Sequence, residues 1–108
     1  MMKPNQKNAP YPDELVATIE ECAREVVREK KVVRNRYFNI KNSVLSGSNG
    51  KYLSVIVTID NGIINFNEEV ETKIGFGKIE SGYPSDEGSL KVSIRFNVDD
   101  IENYWESK

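Results

Sequence analysis

The chain has 108 residues, enough for one domain with a modest core, and its apolar and charged contents of 38 % and 30 % are typical of globular proteins. It contains no histidine and one cysteine, Cys22, which excludes Ser–His and Cys–His catalysis, zinc sites built from His and Cys, and an internal disulfide bond. No apolar run approaches the ~18 residues that span a bilayer, so we expect no membrane partner and a cytoplasmic location.

The charges are sorted along the chain, although the net charge of −2 hides this. Between Arg24 and Lys51, eight basic residues stand against two acids, a net charge of +6. Between Asp60 and Glu106, eleven acids stand against four basic residues, a net charge of −7. Sorted charge creates an electric field that selects partners. We therefore define a basic lobe, residues 24–51, and an acidic lobe, residues 60–106.

The N-terminal part predicts an arm followed by a helix. Residues 1–11 are polar and contain two prolines, so we expect a disordered arm before a single domain over residues 12–108. Leu15, Ile19, Cys22 and Val26 then recur at helical spacing, which predicts an amphipathic helix of about five turns. Cys22 lies on the apolar stripe and is interpreted as a small buried hydrophobic residue.

After the helix, the apolar period changes to two, which predicts four or five antiparallel strands. The predicted strands cover residues 32–45, 53–59, 70–76 and 90–98, and Phe38, Ile40 and Val44 share one face of the first. After Asn61-Gly62, a hairpin returns through Ile64 and Phe66. Residues 80–88 are predicted to form a loop. Asp99 and Glu102 resemble a capping box at the start of a short helix.

The expected fold class is α+β, with an N-terminal amphipathic helix packed on a curved antiparallel sheet of four or five strands and a short C-terminal helical turn. In chain order, this arrangement is similar to cystatin-like folds, which also place a helix before an antiparallel meander.

The sequence carries no specific catalytic or cofactor motif and predicts a non-enzymatic protein-binding module without cofactor or metal. The complementary lobes and the sheet edges favour self-association into a homo-oligomer, or capture of another protein. In the second case the protein would act as an adaptor or inhibitor, of the kind that mobile elements encode. The candidate partner-binding residues are Lys31, Arg34, Arg36, Tyr37, Tyr83 and Trp105. Trp105 has a second interpretation, as a seal at the end of the core.

Two other functions stay open. A small molecule would bind between the helix and the sheet. The residues predicted to line that pocket are Phe38, Tyr52, Phe66 and Phe76. Alternatively, single-stranded nucleic acid would bind the basic 24–51 stretch, where aromatic rings lie among cations, although the pI near 5.2 opposes this. An enzyme would need converging carboxylates, with Glu20 and Glu21 as first candidates.

Overall fold

The structure is a computed structural model that describes residues 11–32, 39–60, 63–85 and 88–108. Its elements are α1 (Asp13–Lys30), β1 (Lys31–Val32), β2 (Asn39–Ser48), β3 (Tyr52–Asp60), β4 (Ile63–Ile64), β5 (Glu69–Thr72), β6 (Gly75–Pro84), β7 (Leu90–Asn97) and α2 (Val98–Glu106). They form a helix, an open five-stranded antiparallel sheet and a short C-terminal helix, which confirms the predicted α+β class.

Helix α1 forms because its apolar residues fall on one stripe, as its sequence period predicts. The buried residues of the helix are Leu15, Ile19, Cys22, Ala23, Val26 and Val27. Asp13 and Glu14 lie in the first turn, and Arg28 and Lys30 lie in the last. The helix dipole stabilises negative charge at the N-terminal end and positive charge at the C-terminal end. The prediction that Cys22 is buried is confirmed.

The arm predicted before α1 covers residues 1–11, of which only Tyr11 is described. Tyr11 packs half-buried against the core. Burial, together with the nearby Glu102 carboxylate, raises the pKa of the Tyr11 hydroxyl to about 12. Tyr11 therefore belongs to the folded part of the chain.

One face of the five-stranded sheet lies under α1, and we call it the covered face. Alternate residues of the two central strands point there and are fully buried or nearly so: Leu53, Val55, Val57 and Ile59 of β3, and Val92, Ile94 and Phe96 of β7. Strict alternation makes these strands amphipathic, so one face is apolar and the other is polar.

Gly77 brings β6 into close contact with this core. A Cβ atom at Gly77 would lie 2.6 Å from Val26 Cγ2 and 2.9 Å from a ring carbon of Phe96. The glycine is therefore a requirement of packing between α1 and the sheet, rather than of backbone conformation.

The strand order is β2-β3-β7-β6-β5, so the sheet is not a simple meander. β7 pairs with β3 along its whole length and separates β3 from the β5–β6 hairpin. The predicted hairpin return is wrong: Ile63 and Ile64 pair with Val32 and Lys31 in a separate two-stranded sheet. Because β2 and β7 occupy both sides of β3, no edge of β3 is left for a return strand. Asn61 and Gly62 themselves lie outside the described residues.

The predicted common face of Ile40 and Val44 is also wrong. Ile40 pairs with Ile59 on the covered face, whereas Val44 pairs with Ile56 on the opposite face. The register shifts between Ile40 and Asn42, and one extra residue in a strand reverses the side to which later side chains point. Phe38, the third residue of that set, lies outside the described residues.

Two further boundaries differ from the sequence prediction. The single strand expected over residues 70–76 is a hairpin, in which Thr72 pairs with Gly75 and Gly75 adopts a φ of 108° that suits glycine. The loop expected over residues 80–88 is mostly strand, because β6 continues to Pro84 past an irregularity between Ile79 and Ser81.

The C-terminal helix begins two residues earlier than the capping-box pattern of Asp99 and Glu102 implies. The N-cap is Asn97, whose side-chain oxygen accepts a hydrogen bond of 2.9 Å from the backbone N–H of Asp99. Asp99 and Asp100 occupy the first turn instead. Val98 and Ile101 then anchor α2 in the core.

Candidate functional site

The face of the sheet opposite α1, which we call the outer face, is covered by no helix of the described residues. Its residues are Asn39, Asn42, Val44 and Gly47 of β2, Tyr52, Ser54, Ile56, Thr58 and Asp60 of β3, Lys91, Ser93, Arg95 and Asn97 of β7, Phe76, Lys78, Ser81 and Tyr83 of β6, and Glu69 and Glu71 of β5. All of them except Thr58 are exposed or half-exposed. The outer face is therefore the broad accessible surface of the sheet.

The outer face carries three of the large apolar side chains that remain exposed. Among the described residues, four stay exposed: Val44 (55 %), Phe66 (43 %), Phe76 (53 %) and Tyr83 (48 %). Three of them stand on the outer face, whereas the Phe66 ring lies over Gly82, a covered-face position. These three are spread over this face, because Phe76 and Tyr83 stand near opposite ends of β6 and Val44 stands three strands away on β2.

Tyr52 and Arg95 are in contact near one end of the outer face. The Arg95 guanidinium carbon lies 4.3 Å from the centroid of the Tyr52 ring, and Lys51 Nζ lies 5.3 Å from it. Arg95 Nη1 also donates a hydrogen bond of 3.0 Å to Glu80 Oε2. The contact with the Tyr52 ring and the ion pair with Glu80 together hold the Arg95 side chain in one orientation.

Two shallow depressions flank this pair. One, of about 360 Å³, lies between Tyr52, Arg95 and the residues 46–49 at the end of β2. The other, of about 210 Å³, lies between the rings of Tyr52 and Phe76 and includes Lys78, Asn97 and Asp100. Depressions with aromatic walls accept apolar or planar side chains of a partner.

The outer face also gathers cations of the acidic lobe. Lys78 and Arg95 are register partners on β6 and β7, and Lys91 lies four residues before Arg95 on β7. In the part of the chain that is described, Lys78 and Lys91 make no ion pair. Three of the four basic residues within the net-negative 60–106 segment therefore share one surface.

Sequence reasoning did not bring these three cations together on one surface. The alternation of Lys91 and Arg95 with buried residues indicates that they share a strand face. However, the placement of Lys78 and Tyr52 beside them depends on which strands become neighbours, and this is a property of the tertiary fold.

The structure separates the predicted partner-binding residues. Tyr83 lies exposed on the outer face, beside Lys91. Trp105 lies on α2, half-buried against the core, with Lys108 Nζ at 5.0 Å from its ring centroid. Lys31 is described by its backbone in β1 alone, and Arg34, Arg36 and Tyr37 lie outside the described residues.

The residues predicted to line a helix–sheet pocket do not converge either. Tyr52 and Phe76 stand on the outer face, Phe66 stands on the covered side, and Phe38 lies outside the described residues. The carboxylates of α1 are engaged separately. Glu20 accepts a hydrogen bond of 3.1 Å from the backbone N–H of Leu45, and Glu21 binds two arginines.

Part of the basic lobe is neutralised within the molecule. Arg24 and Arg28 both pair with Glu21, and the hydrogen bond from Arg24 is the main reason that the pKa of Glu21 lies below its usual value. Lys30 pairs with Glu68 at 3.2 Å, which joins the basic lobe to the acidic one. These pairs are exposed and contribute little stability, but they reduce the field of the basic lobe.

Two further observations concern metals and membranes. Within residues 11–32, 39–60, 63–85 and 88–108, no three Cys, Asp or Glu side chains gather closely enough to hold a metal ion. Neither helix of these segments has the length and apolar content required to cross a bilayer.

Comparisons of the chain with protein-family models, with curated proteins and with solved structures find no match. The functional argument consequently depends on the outer face itself.

Proposed function

We propose that the protein is a non-enzymatic binding module that captures a protein partner through the outer face of its sheet. The observation that carries this proposal is that three exposed apolar residues, Val44, Phe76 and Tyr83, lie on the sheet face that no helix of the described residues covers. Exposed aromatic residues beside cations are the composition of protein-binding hot spots.

The electrostatics of this face support the proposal. The lobes defined along the sequence are joined by the Lys30–Glu68 pair, so they are weaker than their formal charges. The outer face combines charges of both signs: Lys78 stands opposite Glu69, Arg95 is paired with Glu80, and Lys91 makes no ion pair with a described residue. Charges at the rim of an apolar patch steer a partner and fix its register.

A second candidate is the binding of single-stranded nucleic acid at the same face. The observation that favours it is the presence of Tyr52, Phe76 and Tyr83 beside three cations on an open antiparallel sheet, because bases stack on such rings. Glu69, Glu71 and Glu80 on or beside that face oppose a phosphate backbone.

The proposed function is tested by quantitative capture from the source cell with matched variants. The double variant Phe76→Ser/Tyr83→Ser removes two rings from the outer face, and Phe66→Ser removes an exposed ring from the other side of β6. We expect the double variant to lose specific protein partners at least about tenfold, which corresponds to about 1.4 kcal/mol, and Phe66→Ser to keep them.

Light scattering at ~100 µM, in low and high salt, identifies the case in which the partner is a second copy. Two results together would refute the proposal. The double variant would retain every protein that the wild type and Phe66→Ser retain, and the wild type would also stay monomeric.

A further inference from the structure

We infer that helix α1 closes the free edge of strand β2, and that a second copy of this chain pairs with that edge when the contact is released. The contact joins Glu20 and Arg24 of α1 to Leu45 and Ser43 of β2, and we call the two helix residues the clamp. The edge is distinct from the outer face, so this inference goes beyond the proposed function and does not depend on it.

Strand β2 offers one regular stretch to a neighbouring strand. Its register shifts between Ile40 and Asn42 and again between Leu45 and Gly47, so residues 42–45 form the uninterrupted part. Strand β3 occupies one side of this stretch, and no strand of the described residues pairs with the other side. Irregular positions disturb the spacing of the backbone groups that a neighbour needs. A strand added at this edge would therefore pair at residues 42–45.

The outward backbone groups of this stretch belong to Ser43 and Leu45. The Leu45 N–H donates to Glu20 Oε2 at 3.1 Å, so it points away from β3. Because the direction of the backbone groups repeats every second residue along an antiparallel strand, those of Ser43 also point outward. The Glu20 carboxylate occupies the position that a carbonyl oxygen of an added strand would take.

The spacing of the clamp matches the spacing of these two residues. Glu20 and Arg24 lie about 6 Å apart along α1, and Ser43 and Leu45 lie about 7 Å apart along β2. Arg24 Nη1 donates a hydrogen bond to Ser43 Oγ, and its Nη2 pairs with Glu21 Oε1 at 2.6 Å, which holds the side chain in place. Both outward residues of the regular stretch are therefore engaged by α1.

The sequence of β2 lacks the residues that usually keep an edge strand from pairing, which are charged residues and proline. From Asn42 to Gly50 the chain carries no charge and no proline. The opposite edge, β5, differs because it has only four residues and presents Glu69 and Glu71. On β2, contact with α1 takes over the protection that the side chains of β5 provide for themselves.

A second copy is the partner that this edge fits. Two antiparallel β2 strands related by a twofold axis at Val44 would place Ser43 of each copy opposite Leu45 of the other, so their outward N–H and C=O groups would pair reciprocally. The same register would bring together the two Val44 side chains, each 55 % exposed in the single chain. Because residues 42–45 are uncharged, no like charges would oppose this pairing.

The test compares the self-association of matched variants by sedimentation velocity between ~10 and ~500 µM. Glu20→Ala/Arg24→Ala removes the clamp, and Glu25→Ala/Arg28→Ala removes one acid and one arginine from exposed positions of the same helix outside the clamp. We expect the clamp variant to self-associate at least about tenfold more tightly than the wild type, and the control variant to remain within about twofold of it. Circular dichroism reports whether each variant is folded.

Two additional substitutions identify the surface that pairs. Val44→Lys, added to the clamp variant, would place two like charges opposite each other at the twofold axis and should return the protein to the monomer. Phe76→Ser/Tyr83→Ser, added to the clamp variant, removes rings from the outer face and should leave the dimer intact. The single variant Glu20→Ala, which frees the Leu45 N–H alone, replaces the double variant if that variant does not fold.

Four results would each overturn the inference. These are a folded clamp variant that associates no more tightly than the wild type, equal association of the control variant, a dimer that persists after Val44→Lys, and a wild-type dimer that Val44→Lys dissociates. Unfolding of both Glu20→Ala and the double variant would also overturn it, because the clamp would then be required for the fold itself. The proposed function is unaffected by these results, since partner capture is measured with the clamp intact.

Discussion

The two faces of this sheet are made by the same strands but carry opposite properties. On β7, Val92, Ile94 and Phe96 are buried under α1, while Lys91, Ser93 and Arg95 alternate with them on the outer face. The covered face stabilises the fold by burying apolar area, at about 25 cal/mol per Å². The outer face exposes rings and charged side chains. The comparison indicates that the covered side of the strand stabilises the fold, while the other side carries the surface proposed to bind a partner.

The largest effect should come from neighbouring residues on these two faces. Ile94→Ala leaves a cavity in the fully buried core and should reduce the free energy of unfolding by about 2–5 kcal/mol. Ser93→Ala, one residue away on the outer face, should change it by less than about 0.5 kcal/mol. Urea denaturation followed by circular dichroism measures both. Similar losses for the two variants would contradict the assignment of stability to the covered face.

A smaller effect should follow from filling the close contact between α1 and β6. Gly77→Ala places a methyl group 2.6 Å from Val26 Cγ2 and should destabilise the fold by about 1–3 kcal/mol. Gly47→Ala on β2 is the matched control, because no atom lies within 4 Å of its Cβ position. Equal midpoints of urea denaturation for both variants would show that α1 and β6 are not closely packed at Gly77.

The smallest effect concerns the buried Cys22 thiol of α1. Burial raises the pKa of Cys22, whose ordinary value is 9.0. Since the folded state holds the proton to higher pH, the contribution of this thiol to stability is complete below pH 9 and declines as the pH rises through 9 towards the folded-state pKa. The slope for one proton cannot exceed about 1.4 kcal/mol per pH unit.

Urea denaturation of the wild type and of Cys22→Ala between pH 7 and pH 10.5 tests this expectation. The difference between the two free energies of unfolding should be constant up to about pH 9 and then decrease. A difference that increases with pH would indicate a thiolate stabilised in the native state.

Local periodicity predicted the elements that depend on one segment alone. Helix α1 was recognisable from Leu15, Ile19, Cys22 and Val26, and β3 and β7 from their alternation, because each of these patterns matches a single period. Cys22 was placed correctly in the core for the same reason.

The errors arose where an interaction between separate segments determines the strand pairing or the face to which a side chain points. Val44 faces outward because an irregularity after Ile40 reverses the alternation, and the pattern of side chains alone does not reveal an extra residue. Ile64 pairs with Lys31 because β3 already has two neighbours. Likewise, the outer face brings Tyr52, Lys78 and Arg95 together from three strands, so no stretch of sequence shows it as a site.

The strand order also has a consequence for synthesis. Asp60 at the end of β3 and Leu90 at the start of β7 are 30 positions apart, so β3 leaves the ribosome well before the strand that covers its second edge. Until β7 is complete, the growing chain holds α1, β2 and β3 with a long apolar strand unpaired on one side. Such edges recruit other strands, and non-local pairings form slowly. The time between translation of β3 and of β7 is therefore the period in which this edge of β3 is open to pairing with a strand of another chain.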